Sequence, residues 1–177
     1  MYTRSLTEAP VVSLEDEARR LEESGKRVSV LWQEPDQLTF VARGREYRSE
    51  FHINPSDEIM YMIRGEMKLH IRTPEGKEEI VTIPEGGLNF TPSGMPHSPR
   101  FPPDAFALIS ERKRRPGEAD RFRWYCPKCD ALLHEETFIV SDYRADPVSR
   151  AYANFFDSEE HRTCKACGNV MPAPASM

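Results

Sequence analysis

The chain is short of several features that would place it in a large protein class. Cysteine is scarce, 4 in 177 residues, too few for a small secreted scaffold built on disulfides. No apolar run approaches the ~18 residues of a membrane span, and the first twenty residues carry no apolar core of a secretory signal. The expected address is therefore the cytoplasm, with no membrane partner. Positive charge is in deficit, 24 Lys plus Arg against 29 Asp plus Glu for a net of −5. A nucleic-acid partner is excluded on that ground, because displacing counterions needs a basic face. Glycine (9) is outnumbered by proline (15), and helical periodicity is rare, which predicts many short strands separated by turns.

One helix is written clearly. Ser13 can cap it, Asp16 holds the capping-box position, Leu14, Ala18 and Leu21 recur at helical spacing, and Gly25 stops it. Its charged face, Glu15 to Glu23, is expected in solvent. From Val28 to Glu111 short apolar stretches follow one another: Val28–Trp32, Leu38–Ala42, Ile59–Ile63, Met67–Ile71, Glu79–Ile83, Leu88–Phe90 and Phe106–Ile109. Turn signals such as Pro35-Asp36, Arg64-Gly65 and Pro84-Glu85-Gly86-Gly87 separate them, the pattern of an all-β barrel or sandwich. Around Pro116-Gly117 the chain turns polar and basic and reads as a linker. The expected division is 1–115, barrel with its helix, and 116–177, a small metal-binding segment. Phe122 to Val140 reads as a hairpin, and Ser149 to His161 as a short helix burying Ala151, Phe155 and Phe156.

The cysteines are few but paired. Cys126 and Cys129 form one C-x-x-C knuckle, Cys164 and Cys167 another. In a reducing compartment two such knuckles read as one tetrahedral four-thiolate site for Fe or Zn. A structural clip is expected rather than an electron carrier.

Three residues of the β region, His52, Glu58 and His97, lie in two blocks. The first runs His52-Ile53-Asn54-Pro55-Ser56-Asp57-Glu58 and on to Gly65; the second runs from Gly86 through Pro92 and Gly94 to His97. These blocks resemble the two motifs of the cupin family, double-stranded β-helix (jelly-roll) barrels that hold a metal in the barrel mouth. Glu46 stands where the first motif usually opens on glycine. Cupins usually present His-x-His, and His52-Ile53-Asn54 lacks the second imidazole. Two histidines and one carboxylate remain, the facial set typical of non-haem Fe(II) oxygenases. His70, His134 and His161 lie outside both blocks and are read as ordinary polar residues.

Within the cupins, Arg48 to Pro55, Tyr61 to Gly65, Pro96 to Pro99 and Ile109 to Arg112 resemble the bacterial 3-hydroxyanthranilate 3,4-dioxygenases. That family also carries a rubredoxin-like four-cysteine site after the barrel. The resemblance implies a ring-opening dioxygenase acting on a small aromatic substrate and O2. Its product would be 2-amino-3-carboxymuconate semialdehyde, which closes to quinolinate on the way to NAD. It further implies a homodimer, Fe(II) on His52, Glu58 and His97, and Glu58 in contact with substrate. Arg48 and Arg100 would meet the substrate carboxylate, and Glu111 would serve as the catalytic group at the amino and hydroxyl end of the ring. Two departures stand out. Arg100 follows His97 one residue too soon, which turns it to the opposite face of its strand unless a deletion compensates. Gly25-Lys26-Arg27 replaces the family's Gly-Asn. The alternatives are a ring-cleaving dioxygenase for another 2-aminophenol and a non-catalytic cupin sensor for a carboxylated ligand.

Overall fold

Alternating apolar and polar residues build two antiparallel sheets that bury their apolar faces against each other. The computed structural model describes residues 10–33, 36–45, 47–145 and 148–174; Pro35 and Glu46 lie outside them. The strands are β1 (Val28–Trp32), β2 (Gln37–Arg43), β3 (Phe51–Ile53), β4 (Glu58–Arg64), β5 (Met67–Arg72), β6 (Glu78–Ile83), β7 (Leu88–Thr91), β8 (His97–Arg100), β9 (Phe106–Arg112), β10 (Asp120–Tyr125) and β11 (Leu132–Phe138). One sheet has the order β1-β2-β9-β4-β7 and the other β11-β10-β3-β8-β5-β6. The chain crosses repeatedly between sheets, so sequence neighbours such as β3 and β4 face each other instead of pairing, as in the cupin jelly roll. Among the described residues no ladder joins the two sheets, so the barrel is open. Leu38, Phe40, Met60 and Met62 of the first sheet meet Met67 and Leu69 of the second in one buried core.

Helix α1 (Leu14–Ser24) forms as its sequence dictates. The Ser13 hydroxyl accepts from the Asp16 amide at 3.3 Å, and Gly25 closes it at φ 67°. Ala18 and Leu21 pack on Val41 and Phe106 at the back of the first sheet. The charged face is not all left to water, since Arg64 of β4 reaches Glu15 at 2.6 Å and Glu22 at 3.2 Å.

The polar stretch 113–119 is a loop that joins β9 to the segment after it. It delivers β10 to the edge of β3, pairing Phe122 with His52 and Arg123 with Phe51. The β10–β11 hairpin then supports helix α2 (Ser149–Phe156) through a second core of Phe122, Trp124, Ala151, Phe155, Phe156 and Met171. Trp124 stacks on Phe155 at 4.2 Å between centroids. The single helix expected over Ser149 to His161 is broken in two. Ser158 leaves the helix and recaps a short α3 (Glu159–Arg162), accepting from the His161 amide at 3.2 Å.

One glycine is fixed by contact. A Cβ on Gly44 would lie 2.0 Å from the Pro102 carbonyl oxygen. Only glycine lets the end of β2 pass against residues 101–102 and hold Arg43 and Arg45 beside the cavity described next.

Candidate active site

Strand register and one crossover between the sheets bring the predicted ligands together. His52 of β3 lies directly opposite His97 of β8, with ring centroids 5.4 Å apart. Glu58 of β4 lies opposite Glu111 of β9. Residues 54–57 carry the chain from one sheet to the other, so the histidine pair and the carboxylate pair face a common cavity of about 90 Å³. One ligand atom from each of His52, Glu58 and His97 lies within 4.8 Å of the others.

Each group is held by a partner. Asn54 Nδ2 donates to Oε2 of both Glu58 and Glu111, at 2.7 Å each. His97 Nδ1 contacts the Met95 carbonyl oxygen at 2.9 Å, which turns Nε2 toward Glu58 Oε2, 3.4 Å away. His52 Nε2 contacts Asp120 Oδ1 at 2.7 Å. Arg114, buried beneath, donates to both oxygens of Asp120 at 2.6 and 2.7 Å and to Glu111 Oε2 at 2.8 Å.

These contacts set the charges. Burial lowers the His52 pKa, and Asp120 only partly opposes it. Burial also works to lower His97, but the adjacent Glu58 carboxylate overcomes it and the pKa rises. Burial beside Glu58 pushes Glu111 up to about 7 against the pull of Arg114. The site fits a divalent cation on two counts. Its donor set is two imidazoles and a carboxylate. His97 Nε2 is buried with no hydrogen bond, 3.4 Å from Glu58 Oε2, and a cation held by both would give it a partner.

The arginines divide. Arg48 lines the cavity with Glu111. Arg100 does not: along β8 His97 and Pro99 face inward, whereas Arg100 packs on the Phe51 ring at 5.7 Å, 3.8 Å from Glu78. The carboxylate contact that the resemblance implied for Arg100 is therefore not one this cavity offers, because strand parity, with no compensating deletion, turns it away. Sequence reasoning missed Asn54, Asp120, Arg114, Arg45 and Tyr143. Arg45 and Tyr143 line the cavity, and the Tyr143 ring stacks on Phe40 at 4.5 Å. Asn54 had a signal, since it occupies the place of the absent second imidazole. The others come from polar or distant segments and left none.

The cysteines gather as their spacing predicts. Cys126 Sγ lies 3.7 Å from Cys167 Sγ, and Cys129 Sγ lies 3.5 Å from Cys164 Sγ. Four sulfurs around a tetrahedral ion at about 2.3 Å would sit about 3.8 Å apart, so the cluster fits a metal. The two knuckles are built alike. Each cysteine carbonyl, of Cys126 or Cys164, receives the amide four residues on, and that residue is left-handed (Asp130 φ 62°, Gly168 φ 72°). Arg72 of β5 donates to both carboxylate oxygens of Asp130, fastening the first knuckle to the barrel.

Comparison with known proteins follows the same lines. The family model described as 3-hydroxyanthranilic acid dioxygenase matches residues 23–156. A 3-hydroxyanthranilate 3,4-dioxygenase of Bacillus cereus is 36% identical over 157 residues, 89% of this chain and 87% of its own. One of Shewanella woodyi is 36% identical over 80% of this chain and 75% of its own. Among solved structures, a cupin-2 domain containing protein of Shewanella frigidimarina has TM-score 0.46 at 16% identity, covering 58% of this chain and 95% of that one.

Proposed function

Since the chain belongs to the 3-hydroxyanthranilic acid dioxygenase family, we propose that it is an Fe(II)-dependent extradiol-type dioxygenase. It opens 3-hydroxyanthranilate between ring carbons 3 and 4, both atoms of O2 entering 2-amino-3-carboxymuconate semialdehyde. The observation that carries this reading is the convergence of His52, Glu58 and His97 on one cavity that Arg48 and Glu111 also line.

In this reading His52, Glu58 and His97 hold the iron, and iron held there supplies electron exchange between an electron-rich ring and dioxygen. The protein supplies position and protons. Arg48 offers a guanidinium to the ring carboxylate, a charge-assisted contact of about 1.5–3 kcal/mol. Glu111 Oε2 is already occupied by Asn54, by Arg114 and, at 3.4 Å, by Ser56. Oε1 is therefore the oxygen that accepts the proton of the ring hydroxyl. Asn54 keeps the two carboxylates at fixed separation while this occurs.

The cysteines hold one Fe or Zn ion as a structural clip. The division at residue 115 then separates a barrel that does the chemistry from a segment that buttresses it. A homodimer in the cytoplasm, feeding quinolinate formation toward NAD, completes the proposal. Placement of Arg100 outside the cavity favours one second reading, the same chemistry on a differently substituted 2-aminophenol. Anaerobic loading with Fe(II), followed by oxygen uptake and ring absorbance on adding 3-hydroxyanthranilate, tests both. One O2 consumed per ring lost is expected; uptake with 2-aminophenol alone would favour the second reading, and no uptake with either refutes both.

A further inference from the structure

We propose that Arg45 is a second carboxylate-binding guanidinium of the cavity, and that Tyr152, reaching across from α2, is the positioning residue that sets Arg45 and Arg48 as a pair. The proposal rests on the carboxylated aminophenol reading above.

With Arg100 turned outward, Arg48 is the one member of the implied arginine pair left on the cavity. Arg45 lies on the same wall. Its Nη1 donates to the Tyr152 hydroxyl at 2.9 Å, and its guanidinium carbon stands 5.1 Å from the Tyr152 ring centroid. The hydroxyl's own proton goes to Glu50 Oε1 at 2.6 Å. That same oxygen lies 2.8 Å from Arg48 Nε. One phenol and one carboxylate oxygen therefore connect the two guanidinium groups, and the phenol uses its single donor and an acceptor to do so.

Charge shows what the pair awaits. Glu50 is 1% exposed, and its single negative charge stands between two guanidinium cations, so Arg45 and Arg48 share one carboxylate. Arg48 Nε is buried and makes no hydrogen bond despite its approach to Glu50. A buried cation that shares its one carboxylate is incompletely partnered, and a ring carboxylate entering the cavity supplies a second anion. Burial and the Glu50 charge raise the Tyr152 pKa, so the phenol stays a donor. Tyr152 is itself held by the second core, with Phe122 at 5.4 Å and Phe156 at 6.3 Å between centroids. The cysteine-clipped segment, which already lines the pocket with Tyr143, thus also reaches its arginines through Tyr152.

The test compares wild type, Tyr152→Phe, Arg45→Met and Arg45→Lys, each loaded with Fe(II). Anaerobic calorimetry gives dissociation constants for 3-hydroxyanthranilate and for 2-aminophenol, the same ring without its carboxylate; steady-state oxygen uptake gives KM and kcat separately. Arg45→Met is expected to cut the preference for the carboxylated ring by about tenfold, one decade of binding. Tyr152→Phe, which keeps the ring and its packing, is expected to cut it by about threefold to tenfold, seen in KM more than in kcat. Arg45→Lys should recover part of the preference because it restores charge without the fork. Equal weakening of both ligands, or no change in preference in either Arg45→Met or Tyr152→Phe, overturns the proposal. A wild type that binds the two rings alike overturns it too. A wild type that prefers the carboxylated ring but consumes no oxygen would instead refute the dioxygenase reading, with the clamp still tested by the dissociation constants.

Discussion

Asp120→Asn removes one charge from the most tightly tied part of the site and keeps the shape. Asp120 is fully buried, and its oxygens meet His52 Nε2 at 2.7 Å and Arg114 Nε and Nη2 at 2.7 and 2.6 Å. An amide oxygen in the place of Oδ1 can still accept from His52 Nε2 and Arg114 Nη2, but the amide nitrogen in the place of Oδ2 is a donor facing the Arg114 Nε donor, and the carboxylate charge is gone. Two losses follow. The His52 ring loses its charged anchor, and losses of that kind typically cost tenfold to a hundredfold in metal affinity, about 1.4–2.7 kcal/mol. Arg114 keeps Glu111 at 2.8 Å, so its charge is not abandoned, and the stability loss should fall near the lower end for a broken buried pair, about 3 kcal/mol. At about 2–4 °C per kcal/mol for a chain this size, the melting temperature should drop by about 6–12 °C. Competition with a calibrated chelator under nitrogen measures iron affinity, and a thermal melt by circular dichroism measures the rest. Iron affinity within twofold of wild type in a destabilised variant would refute the claim that Asp120 orients His52 and leave it a structural anion.

Cys164→Ser should release one metal equivalent per chain and lower the first thermal transition, with the strand signal of the barrel persisting to higher temperature. Arg48→Ala should raise KM for 3-hydroxyanthranilate by about tenfold to a hundredfold; Arg100→Ala should change it less than about twofold, since its guanidinium lies on Phe51 outside the cavity. Glu118 is held down at about 2, chiefly by the Arg112 guanidinium. Its depressed pKa means that the contact is complete above the ordinary carboxylate value of about 4.3 and is lost as pH falls through about 2. A carboxyl-detected NMR titration that returns a midpoint near 4 would refute that pairing.

What could be read from sequence follows from what each element needs. The longer strands are legible because alternation is a local property: Met67, Leu69 and Ile71 interleave with Lys68, His70 and Arg72 whatever their neighbours are. The strands β3 and β8 carry both histidines but no apolar run of their own. The first has three residues, and the second contains Pro99. They are strands because β10 and β5 flank them, a long-range cause that propensity does not record. The triad was legible through spacing; the substrate contact implied for Arg100 was not met, since parity had left its direction hanging on a deletion. Asp120 and Arg114 were not, since in sequence they belong to a polar stretch broken by Pro116 and Gly117, and only pairing of β10 with β3 buries them. Tyr152 lies in a stretch read as a helix but outside the residues expected to be buried, and nothing in its neighbourhood announces a contact with Glu50, more than a hundred residues earlier.

The pairing of β10 with β3 also orders events during synthesis. β3 meets β8 only at His52 and His97, whereas it meets β10 over three residues. A nascent chain folds what has already emerged, so the barrel can collapse while this strand still has one open flank. The flank stays open until residues 120–125 have cleared the ribosome. Cutting the chain after residue 115, which its composition invites, would freeze that moment. The product would display the bare backbone of a ligand-bearing strand, a template for pairing with another copy of itself. The tail therefore acts for the barrel much as a chaperone would, covering during birth an edge that the mature protein never shows.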